Sequence, residues 1–274
     1  MKSHELNEQT APPNLLVSSL WLLVHTVFTW VEHLLRLLRR CRQAFHHIRP
    51  VGTAIESYRL KHSQHYVKTQ LRTVSKIPKH LVVLLGPEQP DYQRLAQFIY
   101  WSNAAGIAYV SFYDHKGTLK RNYEQMKRCM SEGPLEDKHS ILWSDQAYVP
   151  DGTDQGKPPN TIRTVVNFLS PEDGKQGLVS LSRSIGESVR RRDLFASDVS
   201  IELLDSRLQA SSGYVPDPDL AVYFGEVCST YGLLPWQIRL TEFLPLERRL
   251  DDINEQHFVH CLRRFAKCEQ RLGT

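Results

Sequence analysis

The 274-residue chain is 41% hydrophobic and 23% charged, which supplies one sizeable globular core plus extra segments and is read as a single main domain. Its five cysteines, Cys41, Cys129, Cys228, Cys261 and Cys268, are odd in number and form no C-x-x-C pair, which argues against a disulfide scaffold or zinc site and fits a reducing compartment. The net charge of +4 is local: positions 36–79 hold 11 Lys or Arg against one acid, Glu56, about +10, and the rest of the chain is about −6, so the folded part lacks the basic face of a nucleic-acid binder.

Residues 1–13 form a short polar tail. The stretch NLLVSSLWLLVHTVFTWVEHLLRLLRR follows, and within it residues 15–31 carry no Lys, Arg, Asp or Glu over 17 positions. That sits at the short end of what crosses a bilayer as a helix, where about 20 is typical. Residues 14–38 are therefore expected to be a membrane-anchor helix. Trp21 and Trp30 suit the interfacial belt, and the arginines from Arg36 onward would keep the main domain on the cytosolic side. The alternative is an amphipathic helix lying in the surface, since Ser18, His25, Thr29, Glu32, Arg36 and Arg40 mark one polar stripe. Either arrangement makes membrane lipid a partner, and no small-residue cleavage site follows to suggest a signal peptide.

Residues 39–76 are basic and histidine-rich with little periodicity, and read as a juxtamembrane linker. From residue 77 the pattern changes. HLVVLL (80–85), bounded by Pro78 and Gly86-Pro87, predicts a buried strand. Positions 91–105 predict a helix closed by Gly106, 107–113 a strand and 120–130 a helix. The Gly- and Pro-rich stretch 131–160 reads as a long surface loop. A strand in TIRTVVNFLS, helices over 176–191 and from about 198 to 210, a short strand at 219–224, the stretch GLLPWQIRLTEF (232–243) and a last helix near 254–270 complete the chain. Strand-helix alternation at this spacing predicts an α/β fold, a parallel sheet flanked by helices.

In such sheets, ligand chemistry gathers beyond the carboxyl ends of the strands. Gly86-Pro87-Glu88 after the first strand offers no nucleophile and no phosphate loop. Asp114, His115, Lys116 and Lys120 after the second could form an acid-base group or simply a polar turn and helix start. Glu172 and Asp173 in SPEDGK are of the kind that fill turns.

Five stretches taken in order, YDHKGTLKRN, SPEDGK, PDPDL, GLLPWQIRLTE and the terminal CEQRLGT, resemble the cis-prenyltransferases. Within that family the chain is most similar to the non-catalytic eukaryotic branch, the Nus-type (Nogo-B receptor) subunits. The resemblance implies an undecaprenyl-diphosphate-synthase-like fold and membership of a dehydrodolichyl diphosphate synthase complex. Such a complex adds isopentenyl diphosphate in cis to farnesyl diphosphate for dolichol synthesis and protein glycosylation, at the endoplasmic reticulum membrane.

Catalytic family members follow the first strand with an aspartate and a glycine-asparagine loop that hold magnesium diphosphate, where this chain has Gly86 and Pro87. They carry arginines after the Pro-Asp-Leu strand, where this chain reads Val222 to Cys228 without any. Lacking these groups, the chain would leave a metal without its principal ligand and a diphosphate uncompensated. Glu242 matches a family metal-site glutamate but stands alone. The resemblance thus implies a heterodimer in which the catalytic partner binds Mg2+, and no metal site is expected here. It further implies that Arg271, Leu272 and Gly273 reach across the interface to the shared isopentenyl diphosphate site. A glycine lets its N–H approach a diphosphate oxygen closely, and an arginine offers a fixed fork of donors. Trp236, Arg239 and Phe243 are of the types enriched at interface cores and are expected at the dimer surface. The rival from another class is a membrane receptor or scaffold that binds a protein ligand and assists no chemistry; a third reading, a self-sufficient synthase, is hard to reconcile with Gly86 and Cys228.

Overall fold

A computed structural model describes residues 15–48, 54–131, 140–144, 163–212, 215–225 and 227–269. The chain divides into two units, residues 1–50 and 51–274.

The first unit contains one long helix, α1 (Leu15–Ile48), which continues well past the expected end near residue 38. Its hydroxyls turn inward on the helix backbone, Thr26 Oγ1 donating to the Leu22 carbonyl at 3.0 Å and Thr29 Oγ1 to that of His25 at 2.8 Å. Arg36 and Glu32 pair at 2.8 Å one turn apart. Trp21 and Trp30 are 69% and 76% exposed, with Leu22, Leu23, Val24 and Phe28 beside them. The expected spanning helix needs correction: among the described residues no helix is long and apolar enough to cross a membrane. His25, Glu32, His33 and Arg36 interrupt the apolar run, and each is costly in hydrocarbon.

In the second unit, much of the expected linker is ordered. Residues Ala54–Leu71 form helix α2, which packs against the later helices α3 (Tyr92–Ala105) and α8 (Glu255–Ala266). Val67 and Leu71 are buried, and so is Ser63, whose hydroxyl accepts the Trp101 indole N–H at 3.1 Å. A polar residue at a core position hides the helical period, which is why the stretch reads as irregular.

The strands are β1 (His80–Leu84), β2 (Tyr109–Tyr113), β3 (Ile141–Trp143), β4 (Thr164–Leu169), β5 (Leu220–Tyr223) and β6 (Glu242–Pro245). They form one sheet in the order β3-β4-β2-β1-β5-β6, with every neighbouring pair parallel. The α/β expectation holds, with β3 an addition inside the stretch read as loop. Between the strands run α3, α4 (Thr118–Arg121), α5 (Tyr123–Ser131), α6 (Lys175–Arg190) and α7 (Ile201–Ser212). Asp91 caps α3, accepting from the N–H groups of Gln93 and Arg94, and Gly106 ends it at φ 81°, as the composition of those positions dictates.

Because side chains alternate across a strand, the sheet sorts its residues onto two faces. Leu81, Val83, Val110, Phe112, Val166, Phe168, Leu220 and Val222 point to a large core with α2, α3, α5 and α8. Val82, Leu84, Tyr113, Leu169, Ala221 and Tyr223 point the other way, into a much smaller cluster closed by Leu233 and Leu234.

The PDPDL motif ties the sheet's centre together. Asp219 Oδ2 accepts from the N–H groups of Lys79 and His80 at 2.7 and 2.9 Å, joining the starts of β5 and β1. His80, 1% exposed, sits between the Pro216 carbonyl (2.7 Å from Nδ1) and Ser111 Oγ (2.8 Å from Nε2). A carbonyl can only accept, so Nδ1 carries the hydrogen and Nε2 accepts from Ser111 in the neutral ring. Burial lowers the His80 pKa to about 4. The unfolded chain takes up this proton near pH 6.5 and the folded chain only near 4, so this contribution is intact above 6.5 and shrinks as pH falls between those values. Roughly 2 kcal/mol of stability is expected to be lost at pH 5 and about 3 at pH 4. Urea denaturation across that range checks it, with His80→Gln expected to flatten the dependence.

Candidate functional site

The carboxyl ends of β1, β2, β4 and β5 face one edge of the sheet, where an α/β fold of this kind places its ligands. Gly86, just after β1, sits at φ 58°. A Cβ built on it would lie 3.1 Å from Cε2 of Tyr231. Tyr231 stacks on His115, with ring centroids 5.3 Å apart, and its carbonyl accepts the Tyr113 hydroxyl at 2.6 Å. Burial, with the neighbouring Asp114 charge adding to it, pushes the Tyr113 pKa up to about 12, so the phenol remains a protonated donor.

The residues after Tyr231 press further in. The Gly232 carbonyl accepts from the N–H of Lys175 at 2.9 Å, at the start of α6. The contact is possible because position 174 has no side chain: a Cβ on Gly174 would fall 2.1 Å from that same oxygen. Leu233 and Leu234 are buried among Val82, Leu84 and Tyr113. Residues 231–234 thus form a plug over the carboxyl edge. No periodicity marks it in the sequence; its only signal is Leu233-Leu234 following a Tyr-Gly pair.

The candidate acid-base residues serve the backbone. Asp114 accepts from the N–H groups of Lys116 (2.8 Å), Thr118 and Leu119 (3.1 Å), organising the turn into α4. Lys120 Nζ lies 2.6 Å from Asp173, and Asp173 Oδ2 accepts from the N–H and hydroxyl of Ser170 at 2.8 and 2.9 Å. His115 Nδ1 is buried without a hydrogen-bond partner. These residues are spatial neighbours, yet their carboxylates are committed to turns, so the polar-turn alternative fits this arrangement.

Of the expected interface residues, Trp236 and Phe243 are half-buried and Arg239 is exposed. The Trp236 indole N–H donates to Asp205 on α7, and the Arg239 guanidinium lies 5.6 Å from the Trp236 ring centroid. Phe243, on β6, packs against the smaller cluster. Burial, against the opposing pull of Arg239, raises the Asp217 pKa. Val179, Phe195, Val199, Ile201, Val227, Tyr231 and Leu240 are exposed, so nearly all large exposed apolar side chains described in the second unit fall between residues 179 and 240.

Arg271, Leu272 and Gly273 lie outside the described residues. The root of that tail is fixed: the Cys268 carbonyl accepts from Lys76 Nζ at 3.2 Å, and the same ammonium sits 4.5 Å from the Phe265 ring centroid. Cys261 beside it is buried, which pushes its thiol up to about 12. Among the described residues no three His, Cys, Asp or Glu side chains converge on a metal site. Glu242 stands half-buried on β6, opposite Leu220, and Gly86 supplies no carboxylate, so the described residues do not fit a resident magnesium ion.

No family model matches the chain. It is 37% identical to the dehydrodolichyl diphosphate synthase complex subunit Nus1 of Mus musculus over 212 residues, 75% of this chain and 69% of that protein. It is likewise 37% identical to the human subunit of the same name, over 74% of this chain and 69% of the relative. Among solved structures, lavandulyl diphosphate synthase from Lavandula x intermedia matches with a TM-score of 0.50 at 15% identity, covering 71% of this chain and 98% of the other. That likeness concerns the fold alone.

Proposed function

This chain belongs to the family of Nus1 subunits of the dehydrodolichyl diphosphate synthase complex, and from that premise we propose that it is the accessory subunit of such a complex. Its catalytic partner condenses isopentenyl diphosphate with farnesyl diphosphate in cis, giving the long polyprenyl diphosphate from which dolichol is made. The chain itself does not turn over substrate. The observation that carries this division of labour is the plug: Tyr231 lies against Gly86, where catalytic relatives are expected to hold a metal-binding aspartate.

Magnesium then belongs to the partner. This chain contributes its tail, with the Arg271 guanidinium and the Gly273 amide donating to diphosphate oxygens across the interface, and it contributes the docking surface. The thinly covered second face of the sheet, with Trp236, Arg239 and Phe243 and the exposed apolar residues between 179 and 240, has the composition of an interface core. The complex resides at the endoplasmic reticulum membrane with the domain on the cytosolic side, and exposed Trp21 and Trp30 on α1 support the membrane attachment.

The reading is tested by co-purifying the chain with a catalytic cis-prenyltransferase and following polyprenyl diphosphate formation by each subunit and by the pair. Activity of this chain alone would overturn it. A second test addresses the plug. Gly86→Asp is expected to leave the isolated chain inactive with added Mg2+ and to cost about 2 kcal/mol, because the side chain needs a left-handed backbone and the place held by Tyr231. Radiolabelled isopentenyl incorporation and urea midpoints report the two effects.

A further inference from the structure

Helix α2 carries its basic residues in register. Lys61, His65, Lys68 and Arg72 fall at i, i+4, i+7 and i+11, which places them along one line of the helix, Arg72 just past its last turn. All four are exposed, and Tyr58, 72% exposed, precedes Lys61 by three positions on the same side. The buried line of α2, with Ser63, Val67 and Leu71, faces α3 and α8. Glu56, the one acid of the helix, falls by its position away from the basic line. Within the second unit, residues 51–79 hold six Lys or Arg against Glu56, about +5, while residues 80–274 sum to about −4, so positive charge in that unit gathers in and just after α2.

We propose that the Lys61-His65-Lys68-Arg72 row of α2 is a docking surface for the anionic headgroups of a lipid bilayer, laying the second unit on the membrane face. A planar array of negative charge matches a straight row of cations, and Tyr58 is the residue type that settles at the headgroup level. The exposed apolar residues of α1, with Trp21 and Trp30, favour a bilayer over a nucleic acid as the occupant. The inference rests on the membrane attachment proposed above, and the test separates the two.

The full chain is titrated with phosphatidylcholine vesicles and with vesicles of phosphatidylcholine plus phosphatidylserine. Attachment through α1 predicts binding to both, with Arg36, Arg39, Arg40 and Arg42 of that helix giving some preference for the anionic ones, and the basic row predicts a further salt-sensitive increment that substitutions in α2 alone remove. The triple variant Lys61→Gln, Lys68→Gln, Arg72→Gln is expected to bind neutral vesicles as the parent does and to lose most of the increment, roughly 100-fold in partitioning. The charge-keeping variant Lys61→Arg, Lys68→Arg, Arg72→Lys retains it. If the triple variant still binds anionic vesicles like the parent, or if only its affinity for a labelled oligonucleotide falls, the proposal is overturned. Failure of every form to bind neutral vesicles counts against attachment through α1 instead.

Discussion

Deleting residues 271–274 is expected to reduce turnover of the complex with a catalytic cis-prenyltransferase by roughly two orders of magnitude, with assembly unchanged. The deletion removes a guanidinium that can bind a phosphate through two parallel hydrogen bonds, together with a backbone N–H that no side chain shields. Donors at the isopentenyl diphosphate site hold a diphosphate that stays on the product, the leaving group being that of the allylic substrate. The loss therefore falls on binding and aligning isopentenyl diphosphate, a raised KM together with a lowered kcat, rather than on assembly. Gly273→Ala should reproduce part of it, since a methyl group at that position keeps the amide from closing on an oxygen. The described residues nearest the tail are held independently of it, by Lys76 on the Cys268 carbonyl and on the Phe265 ring. Docking should therefore survive, as co-elution on size exclusion would show. Wild-type turnover from the deletion variant would remove the tail from the mechanism.

The largest stability effect is expected at Gly174. A methyl group there would sit 2.1 Å from the Gly232 carbonyl oxygen, and the obstacle is backbone, which cannot swing aside as a long side chain can. Gly174→Ala must push residues 231–234 away from the start of α6, opening the contact between Lys175 and Gly232 and loosening Leu233 and Leu234 in the smaller cluster. A loss of about 3 kcal/mol or more follows, read as a fall in the urea midpoint at constant slope. Gly186, inside α6, supplies the contrast. Nothing lies within 4 Å of a Cβ there, so Gly186→Ala should stabilise by roughly 0.5–1 kcal/mol through helix propensity and a less free unfolded chain.

The sheet was legible because its strands announce themselves. HLVVLL is apolar on both faces, as a central parallel strand must be, and β1 occupies positions 80–84 of it. The expected helix at 91–105 emerges as Tyr92–Ala105 because Asp91 and Gly106 are chemically suited to begin and end it. β3 escaped notice since three residues, Ile141–Trp143, give no alternation to count. β6, Glu242–Pro245, starts only at the end of the stretch GLLPWQIRLTEF, and four residues are too few to mark a strand. α2 was hidden by its histidines and by Ser63, a core position filled by a hydroxyl because Trp101 needed an acceptor.

The site divides in the same way. The absence of a carboxylate at Gly86 is written in the sequence, but what fills the space is not. Tyr231 is far from Gly86 along the chain, and only the fold brings its ring to 3.1 Å of the missing side chain. The turn roles of Asp114 and Asp173 depend on which backbone N–H groups the loops present, so short motifs such as YDHKG and SPEDGK fit a catalytic group and a pair of tight turns equally well until the backbone is seen.

The seating of α2 sets where the folding unit starts. Trp101, Phe98 and Phe258 pack together with Val67 and Leu71 in the larger core, so a recombinant fragment trimmed to Pro78 would display an aromatic patch to water and self-associate. Soluble expression therefore calls for a start ahead of Ala54, even though the first strand begins only about two dozen positions later.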